Sequence, residues 1–303
     1  MRAVLYPAPR CLVRDPEVTV ARIALGLTVY VADPWAWARG GAATRLARFL
    51  EGDIGRRLRW YTTSAMTAWE PLTERSARRV LEALALPWDR AGLRHGFQLR
   101  VASSHDAPEA GFTYRELDDA HGGAGWARWV LPADADPDEL LHLAIEVGHA
   151  LPFCAGVGGY VWSLHEGDRP TSYEATLPLA RRYVGVEVCD PDAQALALGD
   201  GIAGVNWLTL LGGAAGEAAG AALRSPWREA VAVMALRHGT LVRAGAAPTL
   251  GDVHAMACAH AYAEVAARLA PWREAVAAVP RWSEEEVAAW QRRFVEPEAW
   301  ARG

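Results

Sequence analysis

The sequence predicts an α+β fold, in which helices flank a mixed, mostly antiparallel sheet. Runs of apolar and β-branched residues alternate irregularly with segments of helical periodicity, and several runs lie close enough together to form hairpins. The chain has 303 residues, 51% of them hydrophobic, which is enough to bury a sizeable core. Because neither a long polar linker nor a repeat of fixed period interrupts these runs, we predict one domain over residues 1–303.

The N-terminal part of the chain is predicted to alternate between strands and helices. Residues 23–32 are apolar and rich in β-branched side chains, which is typical of a buried strand. The further elements predicted here are strands over 56–63, 97–102 and 126–131 and helices over 34–52 and 71–86. Residues 103–125 are rich in Ser, Asp, Pro and Gly, so we predict a long loop or an irregular hairpin there.

Capping signals mark two helices in the C-terminal part of the chain. Residues 136–139 (DPDE) place Asp at the N-cap, Pro at N1 and Glu at N3 of a helix that should end near residue 151. Ser283 and Glu286 form a capping box, which predicts a last helix to about residue 294 within the C-terminal segment 281–303. The other predicted elements are strands over 155–164 and 202–211, a strand pair over 231–243, a polar loop over 166–172, and helices over 175–182, 217–223 and 252–269.

Composition and charge narrow the classes of function. The formal net charge of -5 and the pI near 6.0 argue against a general nucleic-acid binder, which needs a basic face. All 31 basic residues are arginine, so chemistry that depends on lysine, such as Schiff-base formation or a P-loop, is excluded. The first residues lack the apolar segment of a signal peptide, no run approaches a membrane span, and the four cysteines show no paired spacing. We therefore predict a cytoplasmic protein without a membrane partner.

Two groups of residues have the amino-acid types of a metal site or a catalytic site. His142, Glu146 and His149 fall on one stripe of the predicted helix and could hold a metal ion. The histidines are seven residues apart and do not form an HExxH motif, so a partnered or surface histidine pair is favoured. Residues 104–106 read Ser-His-Asp, but a catalytic triad converges in space and not between neighbours. We predict no catalytic residue, no metal and no cofactor, and we keep a metal-dependent enzyme using His142, Glu146 and His149 as an alternative.

Glycine-rich apolar blocks between residues 153 and 252 carry a resemblance to a known family. The blocks read GGY at 158–160, RYVGVE at 182–187, GVNWLTLLG at 204–212 and GTLVRAGAAPTLGD at 239–252. In this order they resemble the bacterial type VI secretion system immunity proteins of the TsiV kind, over about residues 23–271. Val184 departs from the pattern, where the resemblance leads us to expect a proline in an RYPG-like turn. The motif residues expected to have structural roles are Gly159, Tyr160, Gly185, Asn206, Trp207, Arg243, Gly251 and Asp252.

The resemblance implies a function without turnover. Members of this family are antitoxins that bind a cognate interbacterial toxin, and a nuclease is the toxin class that we expect first. The resemblance therefore implies a cytoplasmic immunity protein, not an enzyme, that inhibits its toxin stoichiometrically and whose partner is encoded by an adjacent gene. A second alternative is a structural or adaptor component of a secretion or phage-tail-like particle. A homo-oligomer stays open, and no nucleic-acid partner is expected.

Acidic residues in predicted loops are the candidates for contact with such a toxin. They are Asp118, Asp119, Glu166, Asp168, Asp190 and Asp192. Carboxylates in loops most often form a solvated surface, but complementary charge would also speed docking onto a basic nuclease. Exposed tryptophans could anchor a partner too, although most of the 14 tryptophans should lie in the core.

Overall fold

The computed structural model describes residues 12–15, 18–31, 33, 37, 41–85, 97–117, 125–257, 259–273 and 277–302. Within these residues the chain forms nine α-helices and one sheet of eleven strands, which confirms an α+β fold. The sheet differs from the prediction in one respect, because every strand ladder in the described residues is antiparallel. Parallel pairing is confined to the isolated bridges Val161–Glu187 and Ile202–Arg273.

The sheet is built around its two longest strands, which cover residues 18–31 and 155–164. In chain order the strands are β1 Leu12–Asp15, β2 Val18–Val31, β3 Trp60–Thr63, β4 Glu70–Pro71, β5 Gln98–Ala102, β6 Gly111–Glu116, β7 Gly125–Leu131, β8 Ala155–Leu164, β9 Leu208–Gly212, β10 Val231–Leu236 and β11 Gly239–Ala244. Their order across the sheet is β10-β11-β9-β8-β2-β7-β6-β5-β3-β4, and β1 pairs with β2. All ten residues of β8 are buried, because β2 and β9 pair with it on either side and helices contact it.

Helices cover the sheet. They are α1 Ala42–Glu51, α2 Glu74–Ala85, α3 Pro137–Ala150, α4 Arg169–Arg182, α5 Pro191–Ala197, α6 Gly213–Arg224, α7 His260–Leu269, α8 Glu284–Gln291 and α9 Pro297–Arg302. Leu25 and Leu27 of β2 belong to the main core, whereas Tyr30 belongs to a second cluster with Ala195 of α5. Because successive side chains of a strand point to opposite faces, both faces of β2 are covered. No helix in the described part of the chain combines the length and the apolar composition that crossing a membrane requires.

Several predicted elements are confirmed with small changes of boundary. The strands predicted over 97–102, 126–131 and 155–164, the strand pair over 231–243, and both capped helices are present. The strand predicted over 23–32 extends from Val18 to Val31. The helices predicted over 34–52 and 71–86 are described as 42–51 and 74–85, and most of residues 34–40 lie outside the described residues. The helix predicted over 217–223 extends over 213–224, the last helix ends at Gln291, and only residues 60–63 of the predicted strand 56–63 form a strand.

Of the long loop or irregular hairpin predicted over 103–125, the hairpin is the form adopted, because β6 pairs antiparallel with β5 before it and with β7 after it. Three other local predictions were wrong, each for a local reason. Residues 166–172 are not a loop, since a 3-10 turn leads directly into α4, which Asp168 caps. The strand predicted over 202–211 begins only at Leu208. The helix predicted over 252–269 is interrupted, because Met256 adopts a φ of 50° and the α-helix begins at His260.

Candidate functional site

Three of the motif residues, Gly159, Tyr160 and Trp207, meet at the buried centre of the sheet around Asn206. The side chain of Asn206 is fully buried, and its Nδ2 donates to the carbonyl of Tyr160 at 3.3 Å while its Oδ1 accepts from the N–H of Trp207 at 2.7 Å. Gly159 has a φ of 151°, and a Cβ on it would lie 2.3 Å from the Asn206 Oδ1. A glycine is therefore required for the amide to approach β8 and fix the turn before β9. Arg243 lies on β11, paired with Leu208 of β9.

A second motif contact joins the end of α4 to the segment before α7. A Cβ on Gly185 would lie 2.1 Å from the carbonyl oxygen of Thr249, so the two backbone segments approach too closely for a side chain. Arg182 donates to both oxygens of Asp252, the shortest distance being 2.8 Å. These hydrogen bonds lower the pKa of the Asp252 carboxyl. Both contacts serve the architecture of the chain and present no convergent reactive groups.

Val184, which stands where the resemblance leads us to expect a proline, makes a hydrogen bond that a proline could not make. The N–H of Val184 donates to the carbonyl of Gly251 at 3.2 Å, a bond that proline has no N–H to make. Gly251 has a φ of 61°, which favours glycine. The turn is thus held here by a backbone hydrogen bond.

Glu187 and Arg293 form a buried ion pair that the sequence does not reveal. The guanidinium donates to Glu187 Oε2 at 2.8 Å and to the carbonyl of Val184 at 2.9 Å, and it lies 3.6 Å from the ring centroid of Trp290. The side chains are only 3% and 6% exposed, for Arg293 and Glu187 respectively. Burial raises the pKa of Glu187 and lowers the pKa of Arg293 to about 10, and each charge partly offsets the shift of the other. The pair joins the turn that follows α8 to the loop between α4 and α5.

Asp190 and Asp192, two of the predicted toxin-binding residues, are engaged inside the molecule. Asp192 accepts from Trp126 Nε1 at 2.8 Å and pairs with Arg115 at 2.9 Å. Arg169 lies 3.4 Å from Asp190 and 3.3 Å from Asp192, and Asp190 also caps α5. Because two carboxylates here face two guanidiniums, these four groups add little net negative charge to the surface.

Of the other predicted acidic residues, the structure describes the side chain of Asp168 only. Asp168 caps α4 beside Arg169, and Glu166 lies in the 3-10 turn before it, with a side chain outside the described set. Asp118 and Asp119 lie outside the described residues. We call the group formed by Asp168, Asp190 and Asp192, together with Arg115 and Arg169, the acidic corner.

The candidate metal residues of α3 do not converge on a common point. Glu146 pairs with Arg45 at 3.2 Å and with Arg48 at 3.7 Å, and His149 Nδ1 accepts from the N–H of Arg237 at 3.2 Å. His142 is exposed. Among the described residues, no group of three or more His, Cys, Asp or Glu side chains has the arrangement to hold a metal ion.

In the Ser-His-Asp run at 104–106, the side chains of His105 and Asp106 contact different partners. The ring of His105 packs against Trp60 and Trp69, with centroid distances of 4.1 and 5.7 Å. Asp106 pairs with His165 at 3.6 Å instead of with His105. The run therefore forms a turn whose members have separate partners, as expected from neighbours in sequence.

A cavity of about 730 Å³ opens between the segment before α7 and the C-terminal helices. Met256 and Val295 line it and are 84% and 59% exposed, and both His254 and His260 face it. The lining is mainly apolar side chains with few polar groups, so it has the character of a groove and not of a catalytic centre.

Six of the described tryptophans are core residues. Trp282, Trp290 and Trp300 pack as a cluster with ring centroids 5.5 to 6.1 Å apart. Trp37, Trp126 and Trp129 are buried as well. Trp35 lies outside the described residues. These buried tryptophans stabilise the fold and offer no anchor for a partner.

Comparisons with known proteins support one family. The family model TsiV, described as type VI immunity for VRR-NUC, matches residues 46–294. Among solved structures, the Pseudomonas aeruginosa T6SS protein PA0821 is similar with a TM-score of 0.72 and 18% sequence identity. The similarity covers 94% of this chain and 86% of that chain, and at this identity it shows a shared fold. No curated protein matches the sequence.

Proposed function

The chain belongs to the TsiV family of type VI immunity proteins, and on that premise we propose that it binds a cognate toxin of the VRR-NUC class and inhibits it stoichiometrically. The match over residues 46–294 is the observation that carries the proposal, since it spans the motif centre around Asn206 and the buried pair of Glu187 and Arg293. A nuclease toxin acts where nucleic acid is, so we propose that this antitoxin works in the cytoplasm. Its partner is a protein encoded beside it.

Stoichiometric inhibition of a toxin requires a binding surface but no catalytic groups. Most of the distinctive motif residues are buried and hold backbone segments together, while the candidate metal residues are engaged separately. We therefore propose a protein that is not an enzyme and that excludes nucleic acid by filling or covering the toxin's cleft. Tight inhibition of a lethal enzyme depends on slow dissociation of the complex.

The acidic corner is the proposed contact surface for the toxin. Asp190 and Asp192 hold the corner together through Arg169 and Arg115, so their role is to position the surrounding loops. Asp118 and Asp119, together with Glu166, are the carboxylates proposed to meet basic residues of the toxin. Charge pairing at the rim of such an interface acts mainly on the association rate and weakens with salt.

The test uses two double variants with the same change of charge. Asp118→Arg/Asp119→Arg reverses two of the carboxylates proposed to meet the toxin, and Glu74→Arg/Glu82→Arg reverses two exposed carboxylates on α2, which packs on α1. We expect the Asp118/Asp119 variant to lower the association rate for the purified toxin and to flatten its salt dependence, and the α2 variant to behave like the unmodified protein.

The two parts of the proposal fail in different ways. If both variants bind equally well, Asp118 and Asp119 lie outside the interface, while the immunity function stands. If the unmodified protein forms no complex with the toxin, the binding function itself is refuted.

A further inference from the structure

The two edges of the sheet differ in how they are protected against pairing. At one edge, β4 has only two residues, the charged Glu70 and Pro71, which is a common way to block addition of a strand. At the other edge, β10 has six residues, VAVMAL, without a charge, a proline or a glycine. Its register with β11 is unbroken from Val231 to Leu236, so no bulge twists it away. An edge of this kind is a template for another strand.

The outward-facing groups of β10 follow from its hydrogen bonds to β11. The N–H of Gly245 donates to the carbonyl of Ala230 at 2.7 Å, and antiparallel pairs alternate between bonded and non-bonded partners. Ala232, Met234 and Leu236 therefore bond to β11, while the N–H and C=O groups of Val231, Val233 and Ala235 point to the open edge. Val231 uses its N–H locally, on the carbonyl of Glu229 at 2.8 Å. Among the described residues, β11 alone pairs with this strand.

The edge is also apolar and held in place. Val233 is 40% exposed and Ala235 is exposed beside it. The turn after β10 is fixed to the end of α3, because the N–H of Arg237 donates to His149 Nδ1 at 3.2 Å and the N–H of His238 donates to the carbonyl of Gly148 at 3.3 Å. A strand that is already ordered loses little entropy when a partner pairs with it.

We propose that β10 pairs with β10 of a second copy of this chain, antiparallel across a twofold axis at Val233. This register places Val233 opposite Val233 of the second copy and Val231 opposite Ala235. The residues whose backbone N–H and C=O groups point to the open edge then face each other across the axis. The two sheets then continue as one sheet through the dimer. The association concerns this chain alone and is independent of the toxin.

Charges at the two ends of β10 favour a second copy as the partner. Glu229 precedes the strand and Arg237 follows it, both are exposed, and neither forms an ion pair with another described residue. An antiparallel twofold brings the start of one strand beside the end of the other. Glu229 of each copy therefore lies near Arg237 of the other, and the edge is self-complementary in charge as well as in shape.

The interface is small, so the dimer should be weak and concentration-dependent. A strand pair with a few apolar side chains lies at the low end of interface sizes, and we expect a dissociation constant in roughly the micromolar range. Sedimentation velocity of the full chain over a series of concentrations measures it. Hydrogen exchange provides a second readout, because the amides of Val233 and Ala235 should become protected as the concentration rises.

Four variants test the geometry without disturbing the fold. Val233→Pro removes an outward N–H and leaves the ladder to β11 intact, so it should leave the chain monomeric. Glu229→Arg and Arg237→Glu each turn two attractions across the axis into repulsions, and each should raise the dissociation constant about tenfold. The double variant Glu229→Arg/Arg237→Glu exchanges the charges and should restore dimerisation. Circular dichroism and the melting temperature of each variant verify folding.

Three results would overturn the proposal. A wild-type chain that stays monomeric at all concentrations refutes it, and so does a dimer that neither Val233→Pro nor either single charge reversal weakens. Protection of Val233 and Ala235 that appears only after a toxin is added would assign the edge to another protein and would also refute the second-copy proposal.

Discussion

Replacement of Arg293 by methionine is the most severe single test of how this fold is held together. Methionine keeps much of the apolar contact with Trp290 but removes the guanidinium that pairs with Glu187 and donates to the carbonyl of Val184. The carboxylate of Glu187 is then left charged in a site where the side chain is only 6% exposed. Removing one partner of a buried ion pair costs roughly 3–5 kcal/mol, because the remaining charge stays buried without compensation.

The adjacent residue supplies a matched control. Arg292 pairs with Glu296 at 3.5 Å, but both side chains are more than half exposed, at 56% and 52%. Arg292→Met makes the same chemical change one residue away and should cost no more than about 1 kcal/mol. The double variant Glu187→Gln/Arg293→Met removes the uncompensated charge, so part of the loss caused by Arg293→Met should be recovered.

Urea unfolding followed by circular dichroism measures all four proteins. We expect the midpoint to fall strongly for Arg293→Met, slightly for Arg292→Met, and to an intermediate extent for the double variant, with similar slopes. Equal and small losses for Arg292→Met and Arg293→Met would refute the claim that the buried pair holds the turn after α8 to the loop after α4. A double variant less stable than Arg293→Met would show that the buried charge is not the source of the cost.

Three further predictions address the motif centre, the pH dependence and the thiols. Gly159→Ala should lower the free energy of unfolding by roughly 2 kcal/mol or more, because the added Cβ meets the Asn206 Oδ1 at 2.3 Å and the φ of 151° is unfavourable for alanine; urea unfolding measures the loss, and an unchanged midpoint would contradict it. Asp252→Asn keeps an oxygen for capping but removes the charge that pairs with Arg182. The folded pKa of Asp252 is lowered, so its contribution to the free energy of unfolding is present above the unfolded pKa of about 4 and is lost as the pH falls through the folded value. The difference in stability between wild type and variant should therefore shrink in acid. A difference that stays constant with pH would contradict the assignment. Burial raises the pKa of Cys189 to about 12, so iodoacetamide should leave this thiol unmodified in the native protein at pH 8, and rapid labelling detected by peptide mass spectrometry would disagree with its burial.

Local signals allowed much of the fold to be predicted, and where they failed the cause is specific. The Asp-Pro start of α3 was recognised, whereas α4 begins with the similar Asp168 and Pro170 inside a polar stretch that resembles a loop. In β6 the alternation is regular, with Phe112 and Tyr114 buried, but the polar residues before it hide the pattern. A short strand next to turn residues carries too little periodicity to be distinguished by pattern alone.

The side-chain partners were beyond the reach of sequence reasoning because they join distant segments. Arg293 and Glu187 are 106 positions apart, and neither lies in a motif that signals an ion pair. Asp190 and Asp192 were predicted to face a toxin, yet Arg115 and Arg169 come from a strand and a helix that pack beside them. A carboxylate that appears free in a loop can be neutralised by any arginine that the fold brings near it.

The arrangement separates stability from recognition. The glycine-rich motif lies on and around the buried strand β8, where it lets Asn206 and neighbouring backbone approach closely. The surfaces proposed for partners are the acidic corner, where Asp168 and Asp190 cap α4 and α5, and the β10 edge, which lies at the end of the sheet.

Co-expression with the cognate toxin that we propose tests the central claim most directly. A candidate VRR-NUC toxin from the neighbouring gene is expressed in a bacterium that lacks both genes, with and without this chain, and the tagged chain is recovered together with whatever it binds. The account predicts that growth is restored and that toxin and chain are recovered in a fixed stoichiometric ratio. Continued killing when the chain is present at a higher level than the toxin, with no toxin recovered, would contradict it.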